Sequence, residues 1–144
     1  MNIAIIGAGL SGLSCADALA AAGHRSTLFD KGRGPGGRMA TRRAGTAAGE
    51  ASFDHGAQYF TARHPEFLKQ VGDWSARGAA SRWAEAGADA WVGVPAMNAV
   101  LKDMATRHDV EFNFNAKGLV RDGRKWLIVG ERDMMTARST AFFS

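Results

Sequence analysis

A single cysteine, three prolines and the lack of any uninterrupted apolar stretch set the first limits on this 144-residue sequence. Cys15 alone permits neither an internal disulfide nor a cysteine-based zinc site, which suits a reducing compartment. The longest run of small and apolar residues, Ile3 to Ala22, is broken by Asp17 and by glycines at 7, 9 and 12. It falls short of the ~20 consecutive apolar residues that a membrane helix needs. No Lys or Arg precedes it, so Ala20-Ala21-Ala22 is not expected to mark a signal-peptidase site. A cytoplasmic location without membrane partners is the expectation. The four histidines, His24, His55, His64 and His108, show no paired ligand spacing, so no metal site is expected.

Charged residues are also few, at 22%, against 46% hydrophobic. Such a chain can bury a core, which argues against disorder and coiled coil. Its length suits one domain. Glycine is abundant instead, 18 in all, without the period of collagen and often at the ends of apolar runs. The net charge of +4 admits an anionic partner, nucleic acid or a phosphate-bearing cofactor, according to where the cations lie.

Asn2 to Ile6 reads as a short buried strand bounded by glycine. From Leu13 onward Leu13, Ala16, Leu19 and Ala20 fall at helical spacing, and Gly23 ends the helix. Arg25 to Asp30 is a second strand. The turn-rich GRGPGGR that follows excludes regular structure. Residues 44–52 read as a hairpin or an excursion loop. Pro65 opens a helix whose apolar face is Phe67, Leu68, Val71 and Trp74. Residues 79–92 read as short strands or loop. Met97, Val100, Leu101 and Met104 mark another helix starting near Pro95. Val110 to Phe114 alternates as a strand, and Lys117–Arg121 and Lys125–Val129 flank the turn Asp122-Gly123. The expected core is a parallel sheet in the order VEFNF, RSTLFD, NIAII.

The strand–GAGLSG–helix unit carries the first chemistry. Gly7 permits the tight turn out of the strand, Gly9 lets a pyrophosphate approach the backbone, and Gly12 lets helix and strand pack closely. The helix N-terminus offers N–H groups and partial positive charge to phosphates, and Ser11 adds a hydroxyl. Asp30, at the end of the second strand, is placed to accept from both hydroxyls of an adenosine ribose. It could equally be a turn aspartate that caps the next loop. The order strand, glycines, helix, acid favours dinucleotide binding.

Directly after Asp30 comes Lys31-Gly-Arg-Gly-Pro-Gly-Gly-Arg38. The adjacent Gly36 and Gly37 let a second backbone segment approach a dinucleotide, and Arg38 can hold its diphosphate through charge-assisted bonds. A nicotinamide domain does not need this second clamp. Arg42 and Arg43 extend the cationic run, but little aromatic interleaving supports single-strand stacking, so nucleic acid is not expected. Cys15 is expected as a small core residue rather than a nucleophile. His55 could touch flavin or substrate, with a backbone-bonded structural role favoured. The tryptophans are expected to pack, with Trp83 and Trp91 also able to line a substrate cavity.

GAGLSG, FDKGRGPGGRMATRR, Phe53-Asp-His-Gly-Ala-Gln-Tyr-Phe60 and Trp91-Val-Gly-Val-Pro-Ala-Met-Asn98 together resemble the renalase family, its bacterial branch above all, within the flavin-dependent amine-oxidase superfamily. The similarity covers roughly residues 1 to 130. It implies an α/β, Rossmann-like FAD-binding domain with a parallel sheet and a small β-meander. It also implies oxidation of dihydro isomers of NAD(P)H to NAD(P)+, with oxygen as electron acceptor. By position the resemblance puts Ser11 and Arg38 on the diphosphate, Asp30 on the ribose, and Gln58 and Tyr59 near the flavin. Ala116 would hold the adenine by its backbone, where the family usually has valine. The cofactor-binding set is then Gly7, Ala8, Gly9, Leu10, Ser11, Gly12, Asp30, Lys31, Gly36, Gly37, Arg38, Met39, Gln58, Tyr59 and Ala116. No side chain is assigned as acid, base or nucleophile.

Renalase-like chains are considerably longer. Residues 1–144 are therefore expected to be the N-terminal portion of an FAD/NAD(P)-binding domain. Residues 44–92 would be an excursion toward the substrate side and 131–144 an irregular tail. The alternatives are a flavin amine oxidase with another substrate and a nucleotide-binding fragment without turnover. These 144 residues alone are expected to bind FAD weakly and not to turn over.

Overall fold

A computed structural model describes residues 1–47, 49–123 and 125–130; the expected irregular tail at 131–144 lies outside them. The chain divides into two compact units. Among the described residues the first comprises Met1–Pro35 and 105–130, and the second is Gly36–Met104.

In the first unit β1 (Asn2–Ile6), β2 (Arg25–Phe29) and β8 (Asp109–Glu111) form a parallel sheet in the order β1-β2-β8. This is the expected strand order. Ile3 pairs with Ser26 and Ile6 with Phe29. Helix α1 (Leu10–Ala21) connects β1 to β2 and buries Leu13 and Ala16. Burying a side chain the size of Leu13 stabilises a fold by about 1.5–3 kcal/mol.

Four sequence expectations change here. The helix begins at Leu10, so Gly12 lies inside its first turn rather than ahead of it. Cys15 is exposed, because the buried stripe runs through Leu13 and Ala16 and a residue between them points elsewhere. Ala20 is exposed although it falls on that stripe, one turn past Ala16 near the C-terminal end of the helix. The VEFNF strand stops at Glu111 because Asn113 turns into the left-handed region at φ 59°. From there Asn113 N–H donates to Gly32 O (2.8 Å) and Phe114 N–H to Asp30 O (2.9 Å). The Phe114 ring packs on Phe29, centroids 5.0 Å apart. β9 (Ala116–Asp122) and β10 (Lys125–Gly130) form the antiparallel hairpin expected around Asp122-Gly123.

In the second unit a 3-10 turn, Gly37–Met39, occupies the end of the segment expected to lack regular structure, and it buries Met39. β3 (Thr41–Thr46) and β4 (Gly49–Asp54) pair as a hairpin. β5 (Phe60–Thr61), β7 (Ala90–Gly93) and β6 (Ala80–Arg82) form a small antiparallel sheet in that order. Helix α2 (Pro65–Ala76) has Pro at its start and buries Val71 and Trp74, with Trp74 in contact with Phe60 and Phe67. Leu68, expected on that face, is exposed. Helix α3 (Ala99–Ala105) is shorter than expected; Met97 precedes it, yet Met97, Val100, Leu101 and Met104 are all buried.

Candidate functional site

The glycine loop of the first unit is built around two close approaches. A Cβ on Gly12 would lie 2.0 Å from Gly7 O, so only glycine lets the first turn of α1 pack on the loop leaving β1. Gly7 itself has φ +103° and its N–H donates to Phe29 O at 2.8 Å, tying the loop to the end of β2. Added at Gly9, a Cβ would meet nothing within 4 Å, so the space in front of that backbone is open. Gly9 is the N-cap residue of α1, with no side-chain cap and no acidic residue in the first turn. The first intrahelical bond runs from Leu13 N–H to Gly9 O (3.0 Å). The N–H groups of Leu10, Ser11 and Gly12 thus precede the helical ladder, as at any helix start. Uncapped donors in front of an open backbone fit an anionic ligand such as a diphosphate.

Asp30 is half-buried and spans the loop. Its Oδ2 accepts from Ala8 N–H at 2.7 Å, and its Oδ1 accepts from Gly32 N–H at 2.7 Å. Asp30 thus caps the following loop through Gly32, and it also fixes the glycine loop through Ala8. An ionised carboxylate offers about four acceptor positions, so two remain for ribose hydroxyls. Lys31 is exposed. Ala116, assigned to the adenine, is half-buried at the start of β9, opposite Gly130, and so lies in the hairpin rather than the parallel sheet.

The second unit contains the Gly36–Met39 segment. The Arg38 side chain is exposed and has no ion pair or hydrogen bond among the described residues. Its backbone is held: Ala57 N–H donates to Arg38 O at 2.7 Å, and a Cβ on Gly56 would stand 2.1 Å from that same oxygen. Sequence reasoning assigns Gln58 and Tyr59 in this stretch and passes over Gly56. The available signal was a glycine just past a strand, whose reason is invisible without the partner segment.

At the base of the β3–β4 hairpin, Asp54 accepts from Thr41 Oγ1–H (2.6 Å) and from Met97 N–H (3.2 Å to each oxygen). Asn98 N–H reaches Thr41 Oγ1 at 3.4 Å. This network holds the hairpin to the segment entering α3. Gln58 and Tyr59 are both exposed, and Tyr59 meets Trp83 edge-on, centroids 6.0 Å apart. Trp91 is buried beneath the Arg82 guanidinium, 4.7 Å from its ring, whereas Trp83 is exposed. His55 is exposed as well. The Arg63 guanidinium donates to Asp89 and holds that carboxyl below the usual carboxylate range.

Residues 5–74 match the family described as NAD(P)-binding Rossmann-like domain, in agreement with the parallel sheet and glycine loop. An L-amino-acid oxidase of Daboia russelii is 52% identical over 42 residues, 29% of this chain and 8% of the relative. A 4,4'-diapophytoene desaturase (4,4'-diaponeurosporene-forming) of Staphylococcus haemolyticus is 54% identical over 39 residues, 27% of this chain and 8% of that protein. Among solved structures, the Diels-Alderase PyrE3 of the pyrroindomycin pathway superposes with a TM-score of 0.64 at 16% identity. That match covers 98% of this chain and 31% of PyrE3. Native FqzB gives 0.54 at 12%, covering 92% of this chain and 33% of its own. Identities this low show the fold alone. The chain spans about a third of these structures, and the matched stretch is a small fraction of the curated relatives.

Proposed function

We propose that this chain carries the dinucleotide-binding part of a flavin-dependent oxidoreductase with FAD as cofactor. The family match and the two N-terminal relatives, both FAD-dependent flavoproteins, support that class. One observation carries the assignment to a dinucleotide: the uncapped start of α1 behind an open Gly9, with Asp30 bonded to Ala8 N–H beside it. In this reading the N–H groups and hydroxyl at Leu10, Ser11 and Gly12 hold the diphosphate, and Asp30 orients the ribose. Arg38, on the Gly36–Met39 turn of the second unit, takes the diphosphate-binding role that the renalase resemblance implies. Ala116, Gln58 and Tyr59 take the adenine and flavin positions that the renalase resemblance implies.

The finer reading is oxidation of dihydronicotinamide isomers, supported by the extent of the GGRM and DHGAQYF resemblance. The chemistry supplied by FAD is acceptance of a hydride from the dihydro ring and return of both electrons to oxygen as peroxide. The protein's part is to place the ring against the flavin and exclude water. A flavin amine oxidase acting on another substrate is the second reading, favoured by the 52% identity to L-amino-acid oxidase.

The test is to add FAD to the purified protein, separate free flavin by gel filtration, and record the visible spectrum. A retained band near ~450 nm supports the flavin reading, and its absence with NAD(P) retained instead overturns it. Arg38→Ala should weaken FAD binding by about 1.5–3 kcal/mol, the range for a charge-assisted hydrogen bond. Oxygen consumption by a full-length homologue carrying this N-terminus, with dihydro-NAD(P) isomers and separately with L-amino acids, discriminates the two substrate readings.

A further inference from the structure

We propose that Gly56 is a positioning residue for Arg38, acting through the Arg38 carbonyl and making no ligand contact of its own. The proposal rests on the reading of Arg38 as a diphosphate ligand. All of its geometry lies within the second unit. Ala57 N–H donates to Arg38 O at 2.7 Å, so the peptide joining Gly56 and Ala57 lies flush against that carbonyl. A Cβ on Gly56 would stand 2.1 Å from the oxygen and 2.8 Å from the carbonyl carbon, and both obstacles are backbone. Any other residue at 56 must therefore push the Arg38 backbone away or lose the Ala57 bond.

The rest of the turn leaves Arg38 little alternative placement. Met39 is buried, Met39 N–H donates to Gly36 O at 3.0 Å, and Ala40 N–H to Gly37 O at 3.2 Å. Thr41 and Asp54 pair at the base of the following hairpin, and their side chains bond at 2.6 Å. The chain therefore leaves the Arg38 turn, runs out and back through the hairpin, and returns at Gly56 to grip the residue it left. The hairpin base sets the register of that return, and the missing Cβ sets its closeness. The Arg38 guanidinium has no protein partner among the described residues, so only its backbone fixes where the charge is presented. A charged ligand contact loses strength when its support moves by more than about half an ångström.

The experiment is a double-mutant cycle on the full chain with FAD as the probe: wild type, Arg38→Ala, Gly56→Ala and both together. Each single change should weaken FAD binding about tenfold or more, the size of one charge-assisted bond. The double variant should bind no more weakly than Arg38→Ala alone, because both changes remove the same contact. Gly56→Ala removes no charge, yet it should flatten the salt dependence of FAD affinity as Arg38→Ala does. A merely structural role would leave that dependence unchanged. Losses that multiply in the double variant, or an unaltered salt dependence in Gly56→Ala, overturn the proposal. Wild-type affinity in Arg38→Ala overturns the clamp reading itself and the positioning role with it. If Gly56→Ala does not fold, Ala57→Pro removes the N–H donated to Arg38 O and sets a ring carbon against that oxygen, and the same non-additivity and salt response are required of it.

Discussion

Asp30 Oδ2 accepts the Ala8 backbone N–H at 2.7 Å, so the acid at the end of β2 holds the glycine loop. Its other oxygen accepts Gly32 N–H at the same distance. Asp30→Asn therefore does more than weaken a ligand contact. An amide has one acceptor oxygen, and its NH2 would face one of the two backbone donors. We expect a loss of about 1–3 kcal/mol of stability in the absence of ligand, the cost of an unsatisfied part-buried donor. Urea denaturation of the apo protein measures it. A change confined to FAD affinity would show that the two backbone bonds carry no weight.

Gly12→Ala tests the packing of α1 on its loop. The new Cβ would meet Gly7 O at 2.0 Å, and backbone cannot rotate out of the way as a side chain can. Overpacking of this kind costs about 1–3 kcal/mol or more. Thermal unfolding should show the loss, and FAD affinity should fall with it because the displaced Gly7 belongs to the proposed phosphate loop. Gly9→Ala provides the contrast. Its Cβ meets open space, so stability should hold while ligand affinity drops.

The core of the second unit makes a sharper packing prediction. Trp74 is 2% exposed and sits between Phe60 and Phe67, with centroid distances of 6.2 and 5.9 Å. Trp74→Ala should cost about 3–5 kcal/mol. Trp74→Phe keeps the ring contacts and removes an indole N–H that has no acceptor among the described residues. It should cost under about 2 kcal/mol, since the lost volume is offset by relief of an unpaired polar group. Calorimetry of the two variants ranks them.

Arg63 and Asp89 give a pH prediction. The hydrogen bond from Arg63 is the largest cause of the lowered Asp89 pKa, helped by its charge. A carboxyl lowered on folding contributes stability at pH above its ordinary value of 3.8, and loses it as pH falls through the folded value. Arg63→Ala should raise the Asp89 pKa back toward 3.8, read by NMR titration of its side-chain carbon. At neutral pH the pair is solvent-facing, so the unfolding midpoint should barely move.

The local patterns of the sequence determined the first half of the parallel sheet. A β-branched run, glycines at GxGxxG spacing and an apolar helical period fix β1, α1 and β2 through interactions a few residues apart, and Asp30 follows at the strand end. The β9–β10 hairpin was legible for the same reason, since Asp122-Gly123 encodes its own turn. Tertiary structure alone decided what depends on partners distant in the chain. β8 ends at Glu111 because Asn113 and Phe114 turn to bond Gly32 and Asp30, more than 80 positions earlier. Asp30 Oδ2 serves the backbone donor of Ala8, 22 positions earlier, which no spacing rule identifies. Gly56 reads as one more loop glycine until the Arg38 carbonyl is found against it. Local periodicity reports which face of an element is apolar; which atom meets which across a turn depends on how the segments close on one another.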